Sequence, residues 1–243
     1  MKKASIGMAV IFSIAIAAFG QVIDSVSPAL TPSMDDYITV KDIIKECGLE
    51  NIPMEKVAVM VSGRVISLNL SNRNIGKDGI VVIPHSVGSL SELQRFVAND
   101  NIIKSIPSSL FKLKKLRTLN LASNRIVTIP PELGELESLD SLDLRHNQFE
   151  SLPVEIGKLK NLSYLQLWGN KLTALPSVIT LLPNLKELYL KDNDLVALPE
   201  KLIDMKSLSY IDFQGNKICK VSPRMEAWLR KKDKQYSAQQ RCW

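Results

Sequence analysis

Few side chains in this sequence suit acid–base, nucleophilic or metal chemistry. There are two histidines, His85 and His146, and three cysteines, Cys47, Cys219 and Cys242. Ser141, Asp143 and His146 supply the residue types of a nucleophile, an orienting acid and a base. All three fall on one short extended segment, however, where they read as outward positions of a strand. His85 directly follows Pro84 on a different stretch, so the two imidazoles cannot share a metal. No phosphate-cradling G-x-x-x-x-G-K-[ST], dinucleotide G-x-G-x-x-G, nucleophile-elbow G-x-S-x-G, zinc-type H-E-x-x-H or C-x-x-C is present. The sequence therefore predicts no catalytic residue, no metal ligand and no cofactor. What remains is recognition chemistry: the rings of Tyr164, Trp168, Tyr189 and Tyr210, interspersed with Arg145, Glu187, Lys191 and Asp212.

These residues need elements to position them, and self-alignment supplies those elements. Segments starting at Leu93, Leu116, Leu139, Leu162, Leu185 and Leu208 follow one another at 23 residues. Each reads L-x-x-Φ-x-Φ-x-x-N-x-Φ, with Φ apolar, as in LRTLNLASNRI and LKELYLKDNDL. Apolar residues at spacings of three and then two place a short strand against a core, with its neighbours facing out. Asn101, Asn124, Asn147, Asn170, Asn193 and Asn216 stand in strict register. At the bend after each strand their amides can satisfy backbone groups left unpaired, forming a structural ladder. Pro107, Pro130, Pro153, Pro176 and Pro199, each after Ile or Leu, fix the return path, where no sheet donor is needed. Repeats of this kind cannot bury their apolar face alone and must stack.

The ends depart from the pattern. The first unit begins at Val65, 28 residues before Leu93, and carries Arg73 in place of the asparagine. Its five extra residues are expected around Gly76 to Val82, bulging from the convex side. Before it, Asp35 to Cys47 has a helix-like pattern with Ile38, Ile43 and Ile44 apolar, ended by Gly48, and reads as a cap. At the other end Ser222 replaces the repeat proline, and Pro223 to Lys234 reads as an amphipathic helix with Met225, Trp228 and Leu229 turned inward. The expected organisation is a signal peptide at 1–20, a linker at 21–34, an N-terminal cap at 35–62, about seven repeats over 63–222 and a C-terminal cap at 223–243.

From residue 35 onward the chain resembles secreted bacterial leucine-rich repeat proteins, and its repeats are similar to the 23-residue Ras-group type. LPVEIGKLKNLSYLQLWGN at 152–170 carries the likeness best. The resemblance implies an α/β fold, a right-handed curved solenoid with a helical N-terminal cap, serving as a recognition platform without catalysis. Capped members of this kind close on a terminal cysteine, which implies a Cys219–Cys242 disulfide across the C-terminal cap, worth roughly 3 kcal/mol by loop entropy; two unrelated thiols are the alternative. Cys47 is then left over, expected as a buried thiol and not a nucleophile.

Charge and the leader bear on partners. The formal net charge is +6, but residues 220–243 hold seven basic residues against two acidic ones, so the basic excess belongs to one end. That distribution argues against a nucleic-acid-binding solenoid. Lys2 and Lys3 followed by apolar Ala4 to Ala18 read as a secretory signal with cleavage after Gly20, an uncleaved anchor being the alternative. The expected location is secreted or cell-envelope, periplasmic or extracellular, with no integral membrane span in the mature chain. Exposed aromatics among charges have the composition of a binding hot spot. The expected partner is therefore a protein bound on the concave face, with a cell-envelope glycan, or a purely structural surface role, as the other readings.

Overall fold

The computed structural model describes residues 34–72, 79–219 and 221–232. Every described residue lies in one compact unit. The expected signal peptide, almost all of the linker, Arg73 and Cys242 fall outside the described residues.

Eight strands form one sheet in sequence order. β1 (Ala58–Val61) and β2 (Arg64–Asn69) make an antiparallel hairpin. Six three-residue strands then follow in parallel: β3 (Arg95–Val97), β4 (Thr118–Asn120), β5 (Ser141–Asp143), β6 (Tyr164–Gln166), β7 (Glu187–Tyr189) and β8 (Tyr210–Asp212). From β3 onward each residue pairs with the one 23 positions later, as Thr118 with Ser141 and Ser141 with Tyr164. After each repeat proline comes a five-residue 3-10 helix, such as Ser108–Lys112 and Val154–Lys158. Proline suits the entry because its ring holds φ near the value found there, −69° at Pro107 and −67° at Pro153.

Sheet and 3-10 helices enclose a single apolar layer per repeat. In the fourth-strand repeat Leu116, Leu119, Leu121, Ile126, Ile129, Leu133 and Leu136 are all buried, and the same positions recur along the chain. Burying each such side chain is worth about 1.5–3 kcal/mol relative to leaving it exposed. The layer also contains four phenylalanines, Phe96, Phe111, Phe149 and Phe213, which fill it without reaching the surface.

The ladder asparagines tie the layers together. Asn147 Oδ1 accepts the backbone N–H of Ile126 at 3.0 Å. Its Nδ2 donates to the carbonyls of Leu144 in its own repeat, at 3.1 Å, and Leu121 in the preceding one, at 2.9 Å. Asn124, Asn170, Asn193 and Asn216 repeat this scheme, accepting from Ile103, Phe149, Leu172 and Leu195. Asn101 does the same toward Ile80 and Leu70. All six are buried, so each amide replaces water for backbone groups that the bend would otherwise strand.

That scheme relocates the expected insertion. Ile80 meets Asn101 as Ile103 meets Asn124, so Ile80 already stands in the 23-residue register. Ile83 and Pro84 follow in step, with a 3-10 helix at His85–Ser89. Leu70, in contrast, keeps the 28-residue offset set by Ser67 pairing with Arg95. By register the extra residues thus fall between Leu70 and Ile80. Val81 and Val82 are ordinary exposed repeat positions and not part of a convex bulge.

At the N-terminal end α1 (Met34–Glu46) buries Val40, Ile43 and Ile44. Ile38, expected on the apolar stripe, is 50% exposed; Asp36 takes the inward place at 3%. Its carboxylate accepts the Val65 N–H at 2.8 Å and the Arg64 Nε–H at 3.2 Å, which joins the helix to the first parallel-running strand. A carboxylate can be buried there because two donors, one of them charged, meet it. Past a short helix α2 (Met54–Val57), the region expected as helical cap continues into β1 and turns at Ser62 and Gly63, both with positive φ, the geometry of a two-residue hairpin turn. Cys47 is a free, partly buried thiol packed on the core, pushed up to about 12 by burial and by neighbouring Glu46. At the other end the Ser222 hydroxyl accepts the Met225 N–H at 3.1 Å, capping α3 (Pro223–Lys232), a role the proline it replaces could not fill. Met225 and Leu229 are buried, and Trp228 packs partly against the core.

Replacing Asn147 by Ala removes one accepted and two donated hydrogen bonds from a buried bend. The expected cost is roughly 1–3 kcal/mol, measured as a lowered midpoint in urea with an unchanged slope; an unchanged midpoint would contradict the ladder role.

Candidate functional site

Three rows of side chains project from the sheet, at the third, fifth and seventh positions of each repeat. The N-terminal half carries small and polar residues, among them Ser67, Asn69, Thr118, Asn120 and Ala122. From β5 onward the rows change character. Register places Tyr164, Glu187 and Tyr210 side by side, and beside them Gln166, Tyr189 and Asp212.

Three tyrosines form a continuous series. The rings of Tyr164 and Tyr189 lie with centroids 5.4 Å apart, and those of Tyr189 and Tyr210 5.1 Å apart, tilted rather than stacked flat. Such tilted pairs contribute beyond area burial. Tyr189 Oη donates to Glu187 Oε2 at 2.7 Å. Burial, together with this bond to a carboxylate, raises the Tyr189 hydroxyl well above the ordinary phenol range.

Trp168 stands apart from that series, so the four rings expected as one patch divide into two groups. The His146 ring meets the indole edge-on, 4.1 Å between centroids, and the Arg145 guanidinium lies 5.8 Å from the indole centre. Gln166 joins the two groups. Its Oε1 accepts Trp168 Nε1–H at 3.2 Å and Arg145 at 3.1 Å, while its Nε2 donates to the Tyr164 hydroxyl. One buried amide thus fixes both a tyrosine and the tryptophan.

Backbone geometry explains why His146 reaches Trp168. The residue before each ladder asparagine has positive φ: Asp100, Ser123, His146, Gly169, Asp192 and Gly215. This left-handed turn swings the His146 side chain over the next repeat, directly above Gly169. A Cβ added at Gly169 would come within 2.5 Å of His146 Nδ1. Glycine here serves both the turn and the close approach of the imidazole.

The charged members differ in how they are engaged. Asp143 and Arg145 satisfy each other, with Nε to Oδ2 at 3.5 Å and the Arg145 N–H to Oδ1 at 3.3 Å. Burial raises the Asp143 carboxyl above its usual value against the opposing pull of Arg145. Within the trio named above, Asp143 pairs with Arg145 and the His146 ring packs on Trp168. Asp212 Oδ1 accepts the Gln214 N–H at 3.2 Å, closing the turn after β8. Glu187 and Lys191 sit at either end of the outward face around Tyr189 and form no ion pair among the described residues. A second feature lies at the opposite edge, an open notch of about 550 Å³ lined by Gln94, Lys115, Arg117, Ser138, Asp140 and Asn161, none aromatic. Among the described residues no cluster of three or more His, Cys, Asp or Glu is placed to hold a metal ion.

Residues 131–227 match the family of the leucine-rich repeat region, and residues 90–149 that of the leucine rich repeat. The fold is a leucine-rich repeat solenoid. A solved leucine-rich repeat protein of Leptospira interrogans is similar over 70% of this chain and 42% of its own, at 33% identity and a TM-score of 0.63. The plant peptide hormone receptor RGFR1, solved in complex with RGF2, is similar over 56% of this chain and 23% of its own, at 30% identity and a TM-score of 0.53. The chain spans less than half the length of either structure. No curated protein matches. Leucine-rich repeat proteins are typically recognition modules and not enzymes, and no described helix is long and apolar enough to cross a membrane.

Sequence reasoning selected the outward rings and charges, left Gln166 out of the site and weighed His146 only as a member of a catalytic trio. The alternation Tyr164-x-Gln166-x-Trp168 was the available signal, since period-two residues share one strand face. Changing Gln166 to Ala should release Trp168 and Tyr164 while the solenoid stays folded. The expected result is a weaker near-ultraviolet circular dichroism signal and a shifted tryptophan emission, with the far-ultraviolet spectrum unchanged; an unaltered near-ultraviolet spectrum would contradict the joining role.

Proposed function

We propose that this protein is an exported, non-catalytic recognition module that binds a protein segment on the outward face of its sheet from β5 to β8. The observation that carries the reading is the fixed arrangement of rings in that region. Tyr164, Trp168 and Tyr189 have their polar edges engaged within the protein, by Gln166 and Glu187, and all three are partly exposed. Ring faces held in place in advance lose little conformational entropy on binding, which is what anchors of protein interfaces require. The complex of the similar plant receptor with RGF2 supports a peptide or protein ligand in the same direction.

Export rests on the basic and apolar start of the chain and on the cysteines. In this reading residues 1–20 are removed, α1 with the β1–β2 hairpin and α3 close the two open ends of the solenoid, and Cys219 bonds Cys242 to hold the C-terminal end. Mass spectrometry of a non-reducing digest of protein from its native compartment should show the Cys219 and Cys242 peptides linked; recovery of both as alkylated thiols would overturn the pairing.

The binding reading is tested by parallel pull-downs from envelope and secreted fractions of the source organism, followed by titration of the partner recovered. Trp168→Ala and Tyr189→Ala should each weaken that partner by more than about 2 kcal/mol, as hot-spot truncations do. Thr118→Ala, in the polar N-terminal half, should change it little. Equal affinity of the wild type and both ring variants, all folded, would remove the outward face of β5 to β8 as the site.

A further inference from the structure

The charges on the binding face are segregated by row, and among the described residues the repeat of β7 carries a cation and an anion that do not pair. On β5 the cation and anion neutralise each other, Asp143 against Arg145. Along β7 they do not. Glu187 stands at the third position, where it accepts the Tyr189 hydroxyl, and Lys191 stands at the seventh. Both are half-buried beside rings, Glu187 between Tyr164 and Tyr210 in register and Lys191 one repeat on from Trp168. They stand four positions apart, a span of about 13 Å along an extended backbone. Partial burial against aromatic surface reduces solvent screening, so an opposite charge brought to either site gains more than at an open surface.

From this arrangement we infer that β7 selects an extended peptide segment carrying a basic and an acidic residue four positions apart on one face, the basic group meeting Glu187 and the acidic group meeting Lys191. Residues i and i+4 of an extended segment point the same way and are separated by the same distance as Glu187 and Lys191. Between them, residue i+2 falls over Tyr189, whose ring gives it an apolar seat. The guanidinium of an arginine suits the Glu187 end in particular. It can pair with the carboxylate through two donors while lying on the tyrosine rings, in the manner of Arg145 beside Trp168. The inference rests on the reading of this face as a peptide-binding surface and adds the chemistry of the ligand.

The test uses the full chain and three synthetic peptides of alternating threonine and valine. One carries arginine followed four residues later by glutamate, the second has the two charges exchanged, and the third has glutamine at both places. Binding is followed by Trp168 and tyrosine emission or by calorimetry, with wild type, Glu187→Lys/Lys191→Glu, the near-isosteric pair Glu187→Gln and Lys191→Met, and Trp168→Ala. One charged order should bind wild type at least tenfold more tightly than the neutral peptide, and the charge-exchanged protein should prefer the opposite order. Glu187→Gln and Lys191→Met should each erase the preference without unfolding the protein, which keeps the test decisive if the exchanged protein does not fold. Equal binding of all three peptides, an order preference that survives the exchange, or no binding of any peptide at millimolar concentration would overturn the inference. Equal binding of the three that is nevertheless lost in Trp168→Ala would overturn only the charge rule and leave the binding face standing. Binding untouched by Trp168→Ala would remove the face itself.

Discussion

Everything in this solenoid depends on the side chain of one residue type making the bonds that a strand-ending bend cannot make for itself. Each ladder asparagine accepts a backbone N–H from the preceding repeat and donates to carbonyls of its own repeat and the preceding one, as Asn193 does toward Leu172, Leu190 and Leu167. Asparagine is suited because its amide carries both functions at one end of a short arm; aspartate lacks the donor, and glutamine would set the amide one methylene too far. The bend can then be buried, so successive apolar layers meet without a seam of stranded polar groups. Strands of three residues would pair weakly alone, and the ladder with the stacked core is what holds them in register.

The same constraint fixes the geometry of the recognition face. Because each repeat meets its neighbour through an identical set of bonds, the outward rows fall in line, and residues far apart in sequence become lateral neighbours. Tyr164, Tyr189 and Tyr210 touch only because the register from β6 to β8 is held constant. The left-handed residue ahead of each asparagine has a second consequence. It directs a side chain toward the next repeat, and where that residue is His146 and its neighbour Gly169, the side chain supports Trp168. Structural regularity thus supplies the preorganisation that a rigid binding surface needs.

What the sequence disclosed was whatever only one residue type can do. The asparagine amide, the proline φ and the buried leucines leave a strict pattern at 23 residues, and the strands, the return path and the outward rows follow from it. The left-handed position escaped notice because Asp, Ser, His and Gly all occupy it, each tolerable for its own reason. Ser222 was read only as a missing repeat proline, although the helix expected from Pro223 onward already made it the natural cap. The hairpin strand Ala58–Val61 was hidden because four apolar residues without periodic context read equally as helix. The position of the insertion was misjudged because Val81 and Val82 resemble loop filler, whereas the bond from Ile80 to Asn101 restores the register before them. Gln166 was overlooked for a chemical reason. An amide on a polar face looks like solvent-facing surface, and only the proximity of three partners makes it a connecting group.

Hydrogen–deuterium exchange is the most direct test of the ladder as the interaction on which the fold rests. The backbone amides of Ile80, Ile103, Ile126, Phe149, Leu172 and Leu195 all donate to a ladder asparagine. If the ladder locks the repeats into one cooperative stack, these six amides should exchange only through opening of the whole stack, slowly and with a common denaturant dependence. Exchange of any interior member, such as Ile126 or Phe149, at the rate of an exposed loop amide in native conditions would contradict it.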